Sequence, residues 1–213
     1  MKLISSVILV SCLILSTGCQ KKASEEIDAG TFTGPVYHNN YFGIRLTLPP
    51  DWKIQDKKAM ETLKNAGKKM IEGSNKKLKA ALDFSDYQTV HLFAAFKHPL
   101  FAQVTFNPNV MGIAERVGHV AGIKSGKDYL LQSKQVMKSS NMNMKFPQKI
   151  YSEAFGGVEF AVLCTEMTLM GRLIKQKQYS LVKKGYALTF NISFISEDQE
   201  AELKKILNTM TFD

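Results

Sequence analysis

The clearest pattern lies in the last third of the chain, where four consecutive runs have the apolar composition of β-strands. In the last run, large apolar residues stand at every second position, as on one face of a strand, whose side chains point alternately to its two faces. The runs are 149–155, 158–169, 172–183 and 186–195. They are separated by the pairs Gly156-Gly157, Met170-Gly171 and Lys184-Gly185. Such pairs are typical of tight hairpin turns, so we expect a four-stranded antiparallel meander.

A helical pattern follows the last of these strands. Leu203, Ile206, Leu207 and Met210 recur at positions i, i+3, i+4 and i+7, which places them on one helical face. Ser196 precedes them as a capping residue. Because the last strand is apolar on at least one face, we expect this helix to cover the sheet.

The first part of the domain mixes strands and helices. The predicted strands are 44–48, 90–96 and 103–106, the last two as an antiparallel pair ended by Asn107-Pro108-Asn109. Apolar residues at helical spacing over 57–83 predict one broken helix or two short helices. Ser125 with Asp128 has the spacing of a capping box and predicts a helix over 129–138.

The first 18 residues have the composition of a secretory signal peptide. Lys2 is followed by an apolar stretch over 3–15 and by the small residues Ser16-Thr17-Gly18. As a helix, residues 3–18 would span about 24 Å, which is shorter than the hydrocarbon core of a bilayer. A permanent membrane span is therefore the weaker interpretation.

The segment Leu15-Ser16-Thr17-Gly18-Cys19 resembles the lipobox of bacterial lipoproteins, although Ser16 stands where leucine is usual. The resemblance implies cleavage between Gly18 and Cys19 and attachment of diacylglycerol to Cys19, with membrane lipid as a partner through that residue. Two acyl chains suffice for a stable anchor. A conventionally cleaved signal peptide with an unmodified Cys19 is the alternative.

The residue after the cysteine bears on localisation. Gln20 stands there instead of the aspartate that retains such lipoproteins at an inner membrane. The resemblance therefore implies the periplasmic side of the outer membrane in a cell with two membranes, and the outer face of the plasma membrane in a cell with one.

Three segments follow from these patterns. Residues 1–18 form the leader, and 19–36, rich in Lys, Glu, Ser, Gly and Pro, form the lipidated N-terminus and a flexible tether. That tether could extend to about 55 Å. Residues 37–213 remain as a single domain.

A second resemblance covers that domain. Tyr37-x-Asn39-x-x-Phe42-Gly43-Ile44, then Leu48-Pro49 and Trp52, and finally Ile206-Leu207-x-x-Met210-x-Phe212, resemble the PsbP-like superfamily. The resemblance implies an α+β fold, an antiparallel β-sheet flanked by helices in an α/β/α sandwich. It also implies an accessory, assembly or binding role rather than an enzymatic one, with no catalytic residue to transfer.

Composition adds a basic charge to this picture. The chain has 28 Lys and Arg against 19 Asp and Glu, and loss of Lys2 lowers the formal charge of +9 by one. A basic protein favours anionic lipid, cell-wall polymers or acidic partners without specifying any of them.

Eight lysines fall in the predicted helical stretch, where only Glu61 and Glu72 oppose them. They are Lys57, Lys58, Lys64, Lys68, Lys69, Lys76, Lys77 and Lys79. Near a lipid anchor they could form a membrane-facing basic surface worth about 1 kcal/mol per lysine. A solvated helix face is the alternative.

The sequence offers little catalytic chemistry. The histidines His38, His91, His98 and His119 have no metal-ligand spacing, and no hydrolase, phosphate-loop or dinucleotide motif is present. Glu159 and Glu166, seven residues apart on one predicted strand, should lie on opposite faces. We therefore expect no enzyme, no cofactor, no metal and no nucleic-acid partner.

Two groups of sulfur-containing residues are candidates for chemistry. Cys164 is alone in the mature domain, so no internal disulfide forms, and its apolar surroundings predict a buried side chain. Met142 and Met144, near Met137, could bind Cu(I) through their thioethers, although packing is the simpler role.

Three functions remain open. The first is a non-enzymatic binding or assembly module that is tethered at the envelope and engages a protein, polymer or small ligand. The second is an envelope hydrolase or transferase with a site assembled only by the fold, and the third is a weak metal-handling lipoprotein.

Overall fold

A computed structural model of the protein describes residues 27–72, 76–140 and 142–213. The predicted leader, the cleavage site at Gly18 and Cys19, and residues 20–26 lie outside the described residues. Within the described ranges, no helix is both long enough and apolar enough to cross a membrane.

The described chain contains strands and helices in a mixed order. The strands are β1 Thr31–Thr33, β2 Val36–Asn39, β3 Ile44–Thr47, β4 Lys53–Ile54, β5 Thr89–Phe96, β6 Asn109–Arg116, β7 Met144–Lys145, β8 Tyr151–Phe155, β9 Val158–Leu169, β10 Arg172–Lys183, β11 Tyr186–Phe194 and β12 Thr211–Phe212. The helices are α1 Lys57–Glu72, α2 Lys76–Gln88, α3 Gly126–Lys138 and α4 Glu197–Leu207.

The strands form two antiparallel sheets. The larger sheet has the order β4-β5-β6-β11-β10-β9-β7, with β8 also paired to β9, and the smaller has the order β1-β2-β3-β12. The predicted meander β8–β9–β10–β11 is confirmed. Its turn pairs, such as Lys184 at φ 51° and Gly185 at φ 78°, have the two positive φ angles of a type I′ hairpin turn.

Both faces of the larger sheet are covered. On β11, Leu188 and Phe190 pack with α4 and the smaller sheet, whereas Ala187 lies on the opposite face with Tyr129 of α3. α2 lies on that opposite face too, because its Ser85 hydroxyl donates to Glu115, the cross-strand neighbour of Ala187. The expected α+β class, with helices flanking an antiparallel sheet, is confirmed.

The helix starts agree with their sequence signals. The Ser125 hydroxyl accepts a hydrogen bond from the Asp128 amide, and the Asp128 carboxylate accepts one from the Ser125 amide, so the predicted capping box is present. The Ser196 hydroxyl likewise accepts from the Gln199 amide at the start of α4. The 57–83 stretch forms two helices, α1 and α2, and the second continues to Gln88.

The first residues of the PsbP-like pattern, from Tyr37 to Ile44, lie in β2 and β3 of the smaller sheet and in the turn between them. The Asn39 side-chain oxygen accepts from the Phe42 amide at 2.9 Å, closing the turn between β2 and β3. Gly43 has φ +63°, and a Cβ there would come within 2.8 Å of the Asp213 carbonyl oxygen. These residues therefore have structural roles in packing and turn formation.

The predicted strand over 103–106 is wrong. Those residues belong to the loop between β5 and β6, and β6 begins at Asn109, where the sequence pattern indicated a stop. The Asn107 side chain accepts from the His98 amide and donates to the His98 carbonyl, which fixes the loop. Asn107 therefore precedes a strand instead of ending one.

The domain boundary at residue 37 is also wrong. β1 lies within the predicted tether and pairs with β2. The Tyr37 hydroxyl donates to the Ala29 carbonyl at 2.6 Å, the Asn39 side-chain Nδ2 donates to the Asp28 carbonyl at 3.1 Å, and Ile27 packs against the core. The folded domain therefore includes the chain from Ile27 onwards.

Candidate functional site

A groove of about 330 Å³ lies between α4 and the edge of the larger sheet. Its lining includes side chains of both charges, among them Lys175, Lys177, Glu166 and Glu200. Lys175 and Glu166 face each other directly across β10 and β9. The groove is therefore polar and balanced in charge.

A half-buried ion-pair network forms one wall of this groove. The Lys177 ammonium lies 2.7 Å from Glu200 of α4 and 3.9 Å from Glu153 of β8, and Lys204 lies 2.9 Å from Glu153. The Lys177 side chain is only 15% exposed and that of Glu153 is 19% exposed. The network therefore fastens α4 to the sheet and leaves its charges mutually compensated.

Cys164 lies at the floor of the groove. Its thiol is free and buried, as predicted, and the Gln148 side-chain Nε2 donates to the sulfur at 2.8 Å. The Tyr151 hydroxyl donates to Glu153 at 2.9 Å. Burial, together with Cys164 and Glu153, raises the pKa of Tyr151 above its ordinary value. Tyr151 is accordingly a neutral hydrogen-bond donor at physiological pH.

The eight lysines of the predicted basic surface differ in exposure and in their ion-pair partners. Lys64 lies 3.1 Å from Asp86 of α2, and Lys68 contacts Asp83 as well as Asp86, so these two join the helices. The exposed members are Lys57, Lys58, Lys69, Lys76 and Lys79. The side chain of Lys77 lies outside the described part of the structure.

The outward side of α2 carries large apolar side chains that sequence reasoning missed. Phe84 is 59% exposed and Tyr87 is 87% exposed. Both follow the helical spacing of Lys76 and Ala80, so an extension of the predicted helix beyond residue 83 would have found them. We call Lys76, Ala80, Phe84 and Tyr87 the α2 outer face.

A second exposed apolar group lies at one end of the larger sheet, where β5 ends and β6 begins. It consists of Phe101, Val104, Met170 and Leu173, which we call the end surface. Arg172, at the β9–β10 hairpin, donates to the Thr105 carbonyl and so ties the hairpin to the 97–108 loop. Sequence reasoning missed this group because it took 103–106 as a strand.

The remaining candidate residues do not gather into a reactive site. In the ranges that the structure describes, no three His, Cys, Asp or Glu side chains are arranged to hold a metal ion. Burial and the nearby Lys64 lower the pKa of His91, which keeps it neutral. Met144 lies directly opposite Met167, and the Met137 sulfur accepts from Gln178.

The two glutamates on β9 follow the predicted parity. Glu159 faces Ala154 and Glu166 faces Lys175, and the odd separation places them on opposite faces. Glu153 and Glu200, by contrast, come from different elements and converge at Lys177. Only the fold brings this pair together.

The fold thus defines the class of the protein: an α+β domain with antiparallel sheets flanked by helices. No protein-family model and no curated protein sequence matches the chain. Among solved structures it is similar to LpqN, which is involved in cell envelope biogenesis of Mycobacterium tuberculosis, with 14% identity, a TM-score of 0.46, and coverage of 79% of this chain and 82% of LpqN. It is also similar to cyanobacterial PsbP (CyanoP) from Synechocystis sp. PCC 6803, with 11% identity, a TM-score of 0.48, and coverage of 86% and 96%.

Proposed function

We propose that the protein is an envelope lipoprotein, anchored by lipid on Cys19, whose domain is a non-enzymatic accessory module that binds another protein through the end surface. The anchor places it at the outer membrane, facing the periplasm, or on the outer face of the plasma membrane of a cell with one membrane. The lipobox-like segment supports the anchor, and the end surface supports the binding role.

The conformation of Phe101 is the observation that carries the binding role. Its side chain is 98% exposed, and its backbone has φ 67°, in the left-handed region. An aromatic residue there costs about 1 kcal/mol or more in strain and gains nothing from burial. Met170, 95% exposed, stands at the hairpin of the same end. Exposed apolar anchors of this kind are typical of binding surfaces.

The charges around the end surface favour a protein partner. Lys97 and Glu202 form an ion pair of 2.7 Å beside the loop, and Glu166 faces Lys175 below the hairpin. An apolar centre with a rim of both charges resembles the layout of protein–protein interfaces. A bilayer of anionic lipid would instead match a rim of one sign.

Photo-crosslinking in intact cells tests this role. A photoreactive phenylalanine analogue at Met170 is expected to give one discrete protein adduct, whereas the same analogue at Asn65, an exposed position on α1, gives none. Phe101→Gly should abolish the adduct from position 170 without lowering the free energy of unfolding, because glycine tolerates the positive φ and the exposed side chain has no buried contacts to lose. Identical adducts at both positions, or an adduct that persists in Phe101→Gly, would exclude the end surface as the binding site.

The anchor is tested by Cys19→Ser. We expect this change to abolish incorporation of labelled fatty acid and to release the domain from the membrane fraction, because the thiol that accepts diacylglycerol is gone. Cys12→Ser, inside the leader, is the matched control and should retain the label. Mass spectrometry of the native N-terminus should show an acylated Cys19. Continued labelling of Cys19→Ser would disprove the anchor.

A further inference from the structure

The α2 outer face is an exposed stripe of mixed basic and aromatic character. Its residues lie at positions i, i+4, i+8 and i+11, which share one side of a helix. The opposite side is turned inward, since Leu78 is buried and the Ser85 hydroxyl reaches Glu115 on β6. Phe84 and Tyr87 therefore lie on the outward side of α2, where the Phe84 ring also contacts the His119 ring edge to face, with 6.3 Å between the ring centroids.

The charge around this stripe is mainly positive. Asp83 and Asp86, the acids of α2, are paired with Lys68 and Lys64. α1 packs against α2 and against β5, the neighbour of the β6 strand that α2 contacts, and it too carries exposed lysines. The exposed basic side chains on this side include Lys57, Lys58, Lys69 and Lys76. Aromatic rings beside an excess of exposed lysines match the headgroup region of an anionic bilayer.

The length of the tether brings the domain close to the membrane. Because Ile27 already packs against the core, only residues 20–26 separate the folded domain from Cys19. Fully extended, that stretch spans about 28 Å. A domain of this size is roughly 40 Å across. An anchored domain therefore stays within reach of the head groups and must present one of its surfaces to them.

We propose that the α2 outer face rests on anionic phospholipid head groups, with Phe84 and Tyr87 at the interface and the neighbouring lysines on the phosphates. This inference rests on the proposed anchor at Cys19. It assigns different ligands to the two exposed apolar surfaces. The α2 outer face, with mainly positive charge around it, binds lipid, and the end surface, with charges of both signs around it, binds protein.

Tryptophan fluorescence of the lipidated protein in vesicles tests the inference. Tyr87→Trp places a reporter on the stripe, and the emission of the natural Trp52 should change little with lipid because that side chain is only 5% exposed. With 30% phosphatidylglycerol in phosphatidylcholine, we expect a blue shift and quenching by brominated lipid, both reduced by high salt. Pure phosphatidylcholine should give little of either. Phe101→Trp is the matched control on the end surface and should remain unquenched.

Charge reversal adds a second readout. Each lysine near anionic lipid contributes roughly a five-fold factor, so Lys58→Glu with Lys76→Glu should remove most of the quenching at position 87. The same change at Lys205, exposed on α4, should leave the quenching intact. Equal quenching at 87 and 101, or none at 87, would overturn the inference.

Flotation separates failure of this inference from failure of the anchor. Protein that floats with both kinds of vesicle but shows no quenching at position 87 overturns the lipid contact and supports the anchor. Protein with an unmodified Cys19 that floats only with anionic vesicles overturns the anchor and supports the lipid contact.

Discussion

Gly126→Ala is expected to destabilise the domain by about 3 kcal/mol, measured as the free energy of unfolding in urea. Gly126 is the buried first residue of α3, and a Cβ there would overlap the Ser180 carbonyl and lie within 2.9 Å of the Leu181 amide nitrogen. The atoms that the Cβ would meet belong to the backbone of β10, a central strand, so the clash cannot be relieved by a change of side-chain rotamer. α3 would have to lift away from β10, and the packing of its buried Leu130 would be lost.

Gly67→Ala is the matched control for this change. Gly67 lies inside α1, and nothing lies within 4 Å of the Cβ that alanine would add. Because alanine favours the helix over glycine by about 0.5–1 kcal/mol, this variant should be more stable than the parent. A loss of less than about 1 kcal/mol in Gly126→Ala would mean that α3 does not approach β10 as closely as described.

Local signals explain why the last third of the fold could be predicted. A two-residue turn with positive φ angles, such as Lys184-Gly185, fixes the register of the strands on either side, so sequence neighbours become sheet neighbours. The helix starts at Ser125 and Ser196 likewise depend on residues three positions away. Each of these features is set within a few residues of sequence.

The missed elements depend on distant contacts. β1 has only three residues, and it is held by its pairing with β2 and by contacts of Phe32 with Tyr37 and Phe93. β6 pairs with β5 across the 97–108 loop and with β11, which is far from it in sequence. A short segment such as Thr31–Thr33 resembles a linker in sequence. The contacts that stabilise it come from residues outside the segment, so its own apolar and polar pattern does not reveal them.

The candidate surfaces also combine features that local sequence determines with features that depend on distant contacts. The basic character of α1 and α2 was visible in composition, but the pairing of Lys68 with Asp83 required the angle between two helices. Exposure is a property of the whole fold, so the sequence did not distinguish the projecting Phe101 from the buried Phe96. The network around Lys177 combines β8, β10 and α4, and its partners share no local spacing.

Lys177→Met is expected to cost about 2–3 kcal/mol in the free energy of unfolding at neutral pH. The change removes the cation between Glu153 and Glu200 and leaves two half-buried carboxylates with Lys204 as the remaining partner. Removing one member of a buried ion pair is costly because the other charge stays desolvated. Hydrogen exchange of the α4 amides should accelerate, since the lysine joins that helix to the sheet.

A double variant separates loss of the ion pair from loss of packing. Lys177→Met combined with Glu200→Gln removes both charges of the 2.7 Å pair, so it should be more stable than Lys177→Met alone by about 1 kcal/mol. Lys205→Met, at an exposed position of α4, should change stability by no more than about 0.5 kcal/mol. If Lys177→Met costs as little as Lys205→Met, the network does not fasten α4. The groove beside it would then be free to change shape. A small ligand bound in the groove would then replace a protein bound at the end surface as the first candidate for the partner of the domain.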